Sequence, residues 1–347
     1  MKKGLLLILL LAHSVFTRAQ YQQFSSTRNS NGFYHSSNNC FTYNKALNVL
    51  AFTQRLTAAW PDSAFVNVPD PLGVSGYLVT KWSADNGTTW DSTCYYQNDV
   101  NRARYPNGVI YNPPGNTQVQ SAYAVGFGPT YNGTSWSGMY FASAQLDGSI
   151  SAKPNMHTQI ANDQQWFAMD SLSIGDSINL YPASSTVTDN NVWVCASVVK
   201  GNYDPIGLAI IKGTLIDSVF LWEIDTVFRN QWVINEGGYT YLNGDPQIAF
   251  QPNNSMVGYL LVNGVDSLGT NFLSKITYVP IVWKTIDGGQ HWNRVNNDYN
   301  WKETIADAFL FGNIKFPLTE EILYGSYPKF TNRFGGEITV DENGYLN

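Results

Sequence analysis

The sequence predicts an all-β protein built from repeated units of short strands. Three observations carry that expectation. First, of 347 residues only 13% are charged and Glu supplies 7 of the 26 acids, while 14% are aromatic and 29 are Gly. That mixture is poor in the helix formers Glu and Lys and rich in strand and turn formers. Second, short runs rich in Val, Tyr, Phe and Trp recur between turn residues, and no long stretch carries a 3.6-residue period. Third, one eight-residue pattern occurs twice, far apart in the chain. Coiled coils, helical bundles and disordered tails are excluded. The net charge of −6 argues against nucleic acid as a partner.

In chain order, the first element is a leader. Lys2 and Lys3 precede an apolar run, Leu5 to Ala12, and a small residue sits before Gln20. This reads as a secretory signal, residues 1–19, cut between Ala19 and Gln20. The run is too short to span a bilayer. With no Cys at the cut, a lipid anchor is not expected, and no later run is long enough to cross a membrane. Residues 20–347 then read as one exported domain without an internal boundary.

Within it, strands are expected at Leu47–Phe52, Gly76–Trp82, Ala122–Phe127, Gly138–Ala144, Val192–Val199, Gly207–Ile211, Pro246–Phe250, Val257–Val262 and Tyr278–Thr285. The strongest helical segment is Trp301–Leu310. Cys40, Cys94 and Cys195 allow one disulfide in an exported protein, with three pairings open. They are too far apart for a Cys-x-x-Cys metal or redox motif.

The repeated octet is Ser83-Ala84-Asp85-Asn86-Gly87-Thr88-Thr89-Trp90, then Thr285-Ile286-Asp287-Gly288-Gly289-Gln290-His291-Trp292. Each follows a strand. The pattern suits a tight hairpin. The Asp carboxylate can accept bonds from turn N–H groups, the Gly can take a positive φ, and the Trp anchors the next strand. Asp85 and Asp287 lie 202 residues apart, which four units of about 50 residues would cover. Thr130–Trp136 is a weaker variant that reads as a plain hairpin. Gly244–Phe250 and Glu337–Gly344 read as unit-opening strands, the latter with a turn. The last begins a unit where the chain ends, so it either closes a ring on the N-terminal part or belongs to a longer protein.

These octets resemble the Asp-box, or bacterial neuraminidase repeat, of the sialidase-like superfamily. The resemblance implies a β-propeller of six or seven four-stranded blades, with each box between the third and fourth strands of a blade. Sialidases of that superfamily bind a sugar carboxylate with three Arg and use a Tyr–Glu pair and an Asp. Their first Arg lies in an x-R-x-P motif ahead of the first box. The match here, Ala103-Arg104-Tyr105-Pro106, follows the first box, so Arg104 is carried over only as a candidate carboxylate clamp.

A glycoside hydrolase would need two carboxylates across a cleft. Asp99, Asp245 and Glu303 lie in aromatic-flanked loops, yet each reads first as a turn or surface acid. No G-x-S-x-G, phosphate-loop or H-E-x-x-H motif occurs. His35, His157 and His291 are scattered, so no cofactor is expected. A structural calcium ion would find oxygen ligands in a loop such as Asp189-Asn190-Asn191, which reads first as a solvated turn.

Six Asp-Ser/Thr-apolar tripeptides, among them Asp62-Ser63-Ala64 and Asp217-Ser218-Val219, are similar to the O-glycosylation motif of exported proteins in one gram-negative group. Propellers of that group carry sorting domains for type IX secretion. The sequence reading is therefore a secreted or cell-surface, non-catalytic propeller that binds glycans or a partner protein. A secreted glycoside hydrolase is the alternative. Catalytic residues, oligomeric state and ligand are not assigned.

Overall fold

A computed structural model of the chain describes residues 24–25, 40–55, 76–96, 101–134, 136–146, 155–157, 178–200, 204–229, 246–252, 254–264, 279–295, 340–341 and 343. Four antiparallel sheets follow one another along the chain. The first is β1 (Phe41–Asn44), β2 (Val49–Arg55), β3 (Leu78–Ser83) and β4 (Asp91–Tyr96), in that spatial order. The second contains β5 (Arg102–Ala103), β6 (Asn107–Tyr111), β7 (Tyr123–Tyr131), β8 (Trp136–Gln145) and β9 (Asn155–His157). There β5 and β6 both pair with β7, so together they form a single broken first strand. The third is β10 (Ile178–Val187), β11 (Asn191–Lys200), β12 (Asp204–Ile216) and β13 (Val219–Arg229). The fourth is β14 (Gln247–Gln251), β15 (Asn254–Gly264), β16 (Val279–Thr285) and β17 (Asn293–Arg294). Each of the nine runs expected from the sequence overlaps a strand, with starts that differ by up to three residues.

The sheets pack face to face in chain order, with apolar side chains alternating between two neighbours as the period of two requires. Ala51, Leu78 and Tyr96 of the first meet Ile110, Ala124 and Tyr140 of the second. Val109, Val125 and Phe127 of the second meet Val194, Ala209 and Phe220 of the third. Trp193 and Leu208 of the third meet Ile248, Leu260 and Trp283 of the fourth. The first strands run side by side in one direction. Asn44 at the end of β1 donates to the Ile110 carbonyl in β6 (3.4 Å), and Ser184 in β10 accepts from the Ile248 N–H in β14 (2.9 Å). Four-stranded antiparallel sheets stacked this way, first strand inward, are the blades of a β-propeller.

Local sequence explains the irregular points. Pro182, which cannot donate to a ladder, stands at a register shift between β10 and β11. The β12–β13 hairpin turns on Asp217 (φ 48°) and Ser218 (φ 69°), so that Asp-Ser pair is a tight-turn pair. Thr130–Trp136 is the expected plain hairpin, joining β7 to β8, with Asn132 Oδ1 accepting from the Thr134 N–H (2.9 Å). Gly244–Phe250 does open a sheet, as β14. At the far end Val340 packs on Ala249 and Tyr259 of the fourth sheet, and Asn343 N–H donates to Asp341 in a turn (2.9 Å).

One expectation is corrected. The octets lie in the first and fourth sheets, so their 202-residue interval spans three sheet-to-sheet steps of about 67 residues, not four of about 50. Each sheet covers about 50 residues, and the excess lies in the connections, as between His157 and Ile178 and between Arg229 and Gln247. The leader 1–19 and Trp301–Leu310 lie outside the described residues. Among those described, no helix is long and apolar enough to cross a membrane.

Candidate functional site

The two octets build the same hairpin, each joining the third and fourth strands of its sheet. In the first, Asp85 Oδ1 accepts from the Thr89 N–H (2.8 Å) and the Ser83 hydroxyl (2.7 Å), and Oδ2 accepts from the Thr89 hydroxyl (2.6 Å). Ser83 Oγ in turn accepts from the Gly87 N–H (2.8 Å). In the second, Asp287 Oδ1 accepts from the His291 N–H (2.9 Å) and the Thr285 hydroxyl (2.8 Å), while His291 Nδ1 takes the Oδ2 position at 2.7 Å. Thr285 Oγ1 accepts from the Gly289 N–H (2.9 Å). The sequence anticipated the carboxylate, the glycine and the hydroxyl tie.

Their surroundings differ. Trp90 donates its indole N–H to the Gly87 carbonyl (3.1 Å) and stacks on Phe24, with ring centroids 4.1 Å apart. Trp292 meets Phe250 edge-on at 6.0 Å, and Gly289 presses against Trp193 of the neighbouring blade. The second octet therefore clamps two blades together.

Hydrogen bonds hold both carboxylates at a pKa of about 2, below the ordinary 3.8; for Asp85 the Thr89 hydroxyl contributes most, for Asp287 the His291 N–H. The sign follows from linkage. A carboxyl whose pKa is lower in the folded state adds stability that is complete above the unfolded value and disappears as pH falls through the folded one. Thermal stability is therefore expected to fall as pH drops from about 4 to about 2. The double variant Asp85→Asn, Asp287→Asn should flatten that slope, and an unchanged slope would deny the octets this role.

The opposite end of the blades carries the candidate clamp. The first strand of the second blade breaks at Arg104–Pro106. Arg104 N–H donates to the Pro129 carbonyl (2.9 Å), and Tyr105 takes a left-handed φ of 43°, a costly conformation for a bulky residue. The Arg104 guanidinium is half-buried. Nη1 donates to the Ala103 carbonyl (2.8 Å), and the group lies over the Tyr131 ring at 5.5 Å. Burial first, and then the neighbouring Arg102 charge, lower its pKa. None of the described carboxylates pairs with it. Arg55, buried, ends β2 here, and the partly exposed Arg102 begins β5. Asp85, Asp189, Asp217 and Asp287 all sit in turns at the octet end. The sequence named Arg104 within Ala103-Arg104-Tyr105-Pro106 but gave no sign of Tyr131.

The remaining candidates are dispersed. Asp189–Asn191 forms the β10–β11 turn, where the Asp189 carbonyl accepts from the Tyr111 hydroxyl (3.1 Å). Among the described residues no group of three His, Cys, Asp or Glu could hold a metal ion. Cys40, Cys94 and Cys195 form no disulfide, which corrects the allowance for one. Cys94 and Cys195 are buried in different blades. Asp99, Asp245 and Glu303 lie outside the described residues.

What the fold and this end define is a β-propeller with a half-buried cationic face at one mouth. No protein-family model matches the chain, and no curated protein matches it in sequence. Among solved structures it is similar to an α-L-arabinofuranosidase from Fusarium graminearum in complex with an iminosugar inhibitor, at 13% identity and a TM-score of 0.40, over 74% of this chain and 64% of that one. It is similar to an α-L-arabinanase of Penicillium chrysogenum complexed with arabinobiose, at 14% identity and 0.36, over 74% and 67%. It is also similar to a Trypanosoma rangeli sialidase, at 11% and 0.37, over 78% and 40%. The chain spans less than two thirds of the first and the last of these.

Proposed function

We propose that this protein is an exported, non-catalytic Asp-box propeller that binds a carboxylate-bearing glycan at the mouth opposite the octets. The observation that carries the reading is Arg104: a half-buried guanidinium oriented by a backbone carbonyl and an aromatic ring, and paired with no described carboxylate. A guanidinium matches a carboxylate with two parallel hydrogen bonds. Arg102 beside it and Arg55 nearby add positive potential, and Tyr131 and Tyr105 offer rings against which a sugar face can stack. Export rests on the 1–19 leader, and type IX sorting on the Asp-Ser/Thr-apolar tripeptides.

The test is calorimetric titration of the secreted protein with uronic-acid and sialic-acid oligosaccharides, beside their neutral counterparts. Arg104→Ala is expected to weaken acidic ligands by about ten- to a hundredfold, the worth of a charged hydrogen bond, with Arg104→Lys intermediate. Equal affinity in wild type and Arg104→Ala would refute the site, as would absence of binding to any acidic glycan. Release of reducing sugar from a bound oligosaccharide would overturn the non-catalytic part.

A further inference from the structure

The contact between the first two blades is partly polar. The first blade supplies the hydroxyls of Thr53 and Thr80, whose Oγ1 atoms lie 2.8 Å apart, and the phenol of Tyr95, all buried. Facing them, β6 and β7 present glycines. A Cβ on Gly108 would meet Thr53 Oγ1, and one on Gly126 the Tyr95 hydroxyl, each inside 2.5 Å. The strip continues to Gly128. There a Cβ would stand 2.7 Å from the Tyr140 hydroxyl, 2.8 Å from the Arg104 carbonyl oxygen and 2.9 Å from the Tyr105 carbonyl oxygen. Three oxygens therefore converge beside Gly128, directly under the break that carries Arg104.

Tyr140 is fully buried, and its hydroxyl has no hydrogen-bond partner among the described residues. Burial pushes its pKa well above the ordinary value, so the group is a neutral donor. Buried hydroxyls are satisfied by protein or by ordered water, and a buried water makes about three hydrogen bonds. The oxygens at hand supply that number: one donor from Tyr140 and two carbonyl acceptors.

We propose that an ordered water lies in this seam beside Gly128, accepting from the Tyr140 hydroxyl and donating to the Arg104 and Tyr105 carbonyls. Tyr140 is thereby the positioning residue for the Arg104 turn. The water braces both carbonyls at the left-handed Tyr105, adding to the Arg104 N–H bond to the Pro129 carbonyl. The guanidinium is oriented by a hydroxyl it never touches.

The primary test is a high-resolution crystal structure of the wild-type protein. Density for a water within about 3 Å of the Tyr140 hydroxyl and of at least one of the two carbonyls is expected. A direct bond from Tyr140 to a carbonyl with no water between them would overturn the proposal. The second test is Tyr140→Phe, read by hydrogen exchange. Faster exchange at residues 104–107, with exchange in the third and fourth blades unchanged, is expected, and unchanged exchange at the turn would overturn it. If the variant does not fold, the wild-type structure decides alone. A binding arm rests on the proposed function: acidic-glycan affinity should fall by about two- to tenfold in Tyr140→Phe, the worth of one hydrogen bond. If Arg104→Ala leaves that affinity intact, the proposed site fails, while the crystal and exchange results still decide the water.

Discussion

Gly289→Ala is expected to destabilise the fold by about 3 kcal/mol, whereas Gly87→Ala, at the same position of the other octet, should cost about 1 kcal/mol. Both glycines hold left-handed backbones, φ 93° and 85°, so both variants carry the strain of a side chain there. Only one adds a collision. A Cβ on Gly289 would stand 2.7 Å from the Trp193 ring, while the nearest atom to a Gly87 Cβ is 3.8 Å away. The ring cannot retreat easily, because Trp193 is 2% exposed and stacks on Phe250 at 5.1 Å. Urea unfolding of the two variants measures the difference. Equal losses would mean that the clamp between the third and fourth blades carries no energy.

Trp193→Ala should be the larger loss, about 3–5 kcal/mol, from the transfer of a buried indole and the cavity left between two blades. Its indole N–H bond to the Thr188 hydroxyl (3.3 Å) is lost as well. The informative variant is the double one. Removing the ring removes the obstacle to a Gly289 side chain, so Gly289→Ala made in the Trp193→Ala background should keep only its backbone strain. Its cost should fall from about 3 to about 1 kcal/mol, a coupling of the size seen between residues in contact. Strict additivity would show that the two residues do not meet.

The sequence revealed strands better than blades. Val192–Val198 is apolar but for Ser197 and buried at nearly every position because both faces are covered, so it stands out without alternation. Several strands that escaped notice carry polar starts or breakers. β4 begins Asp91-Ser92-Thr93, β6 begins with the turn pair Asn107-Gly108, and β10 contains Pro182. Those residues are tolerated through pairings and a bulge that only the folded chain supplies. The carboxylate and hydroxyl bonds of the octets were legible, because they are made within eight residues; the Gly288 N–H bond to the Met256 carbonyl (3.0 Å) and the contact with Trp193 were not. The candidate binding end was legible only at Arg104. Its neighbours arrive from different strands: Tyr131 through the β5–β7 pairing, and Tyr140 through the fit against Gly128. Spacing along the chain carries no trace of either.

The reduced cysteines have a chemical consequence. A thiol reacts as its thiolate, and burial disfavours that form at Cys195 while shielding both Cys195 and Cys94 from reagents. Alkylation or oxidation at either position must therefore wait for its own blade to open. With one such sulfur in the first blade and one in the third, the protein carries two internal clocks. Their labelling rates report separately how often each wall of the ring comes apart.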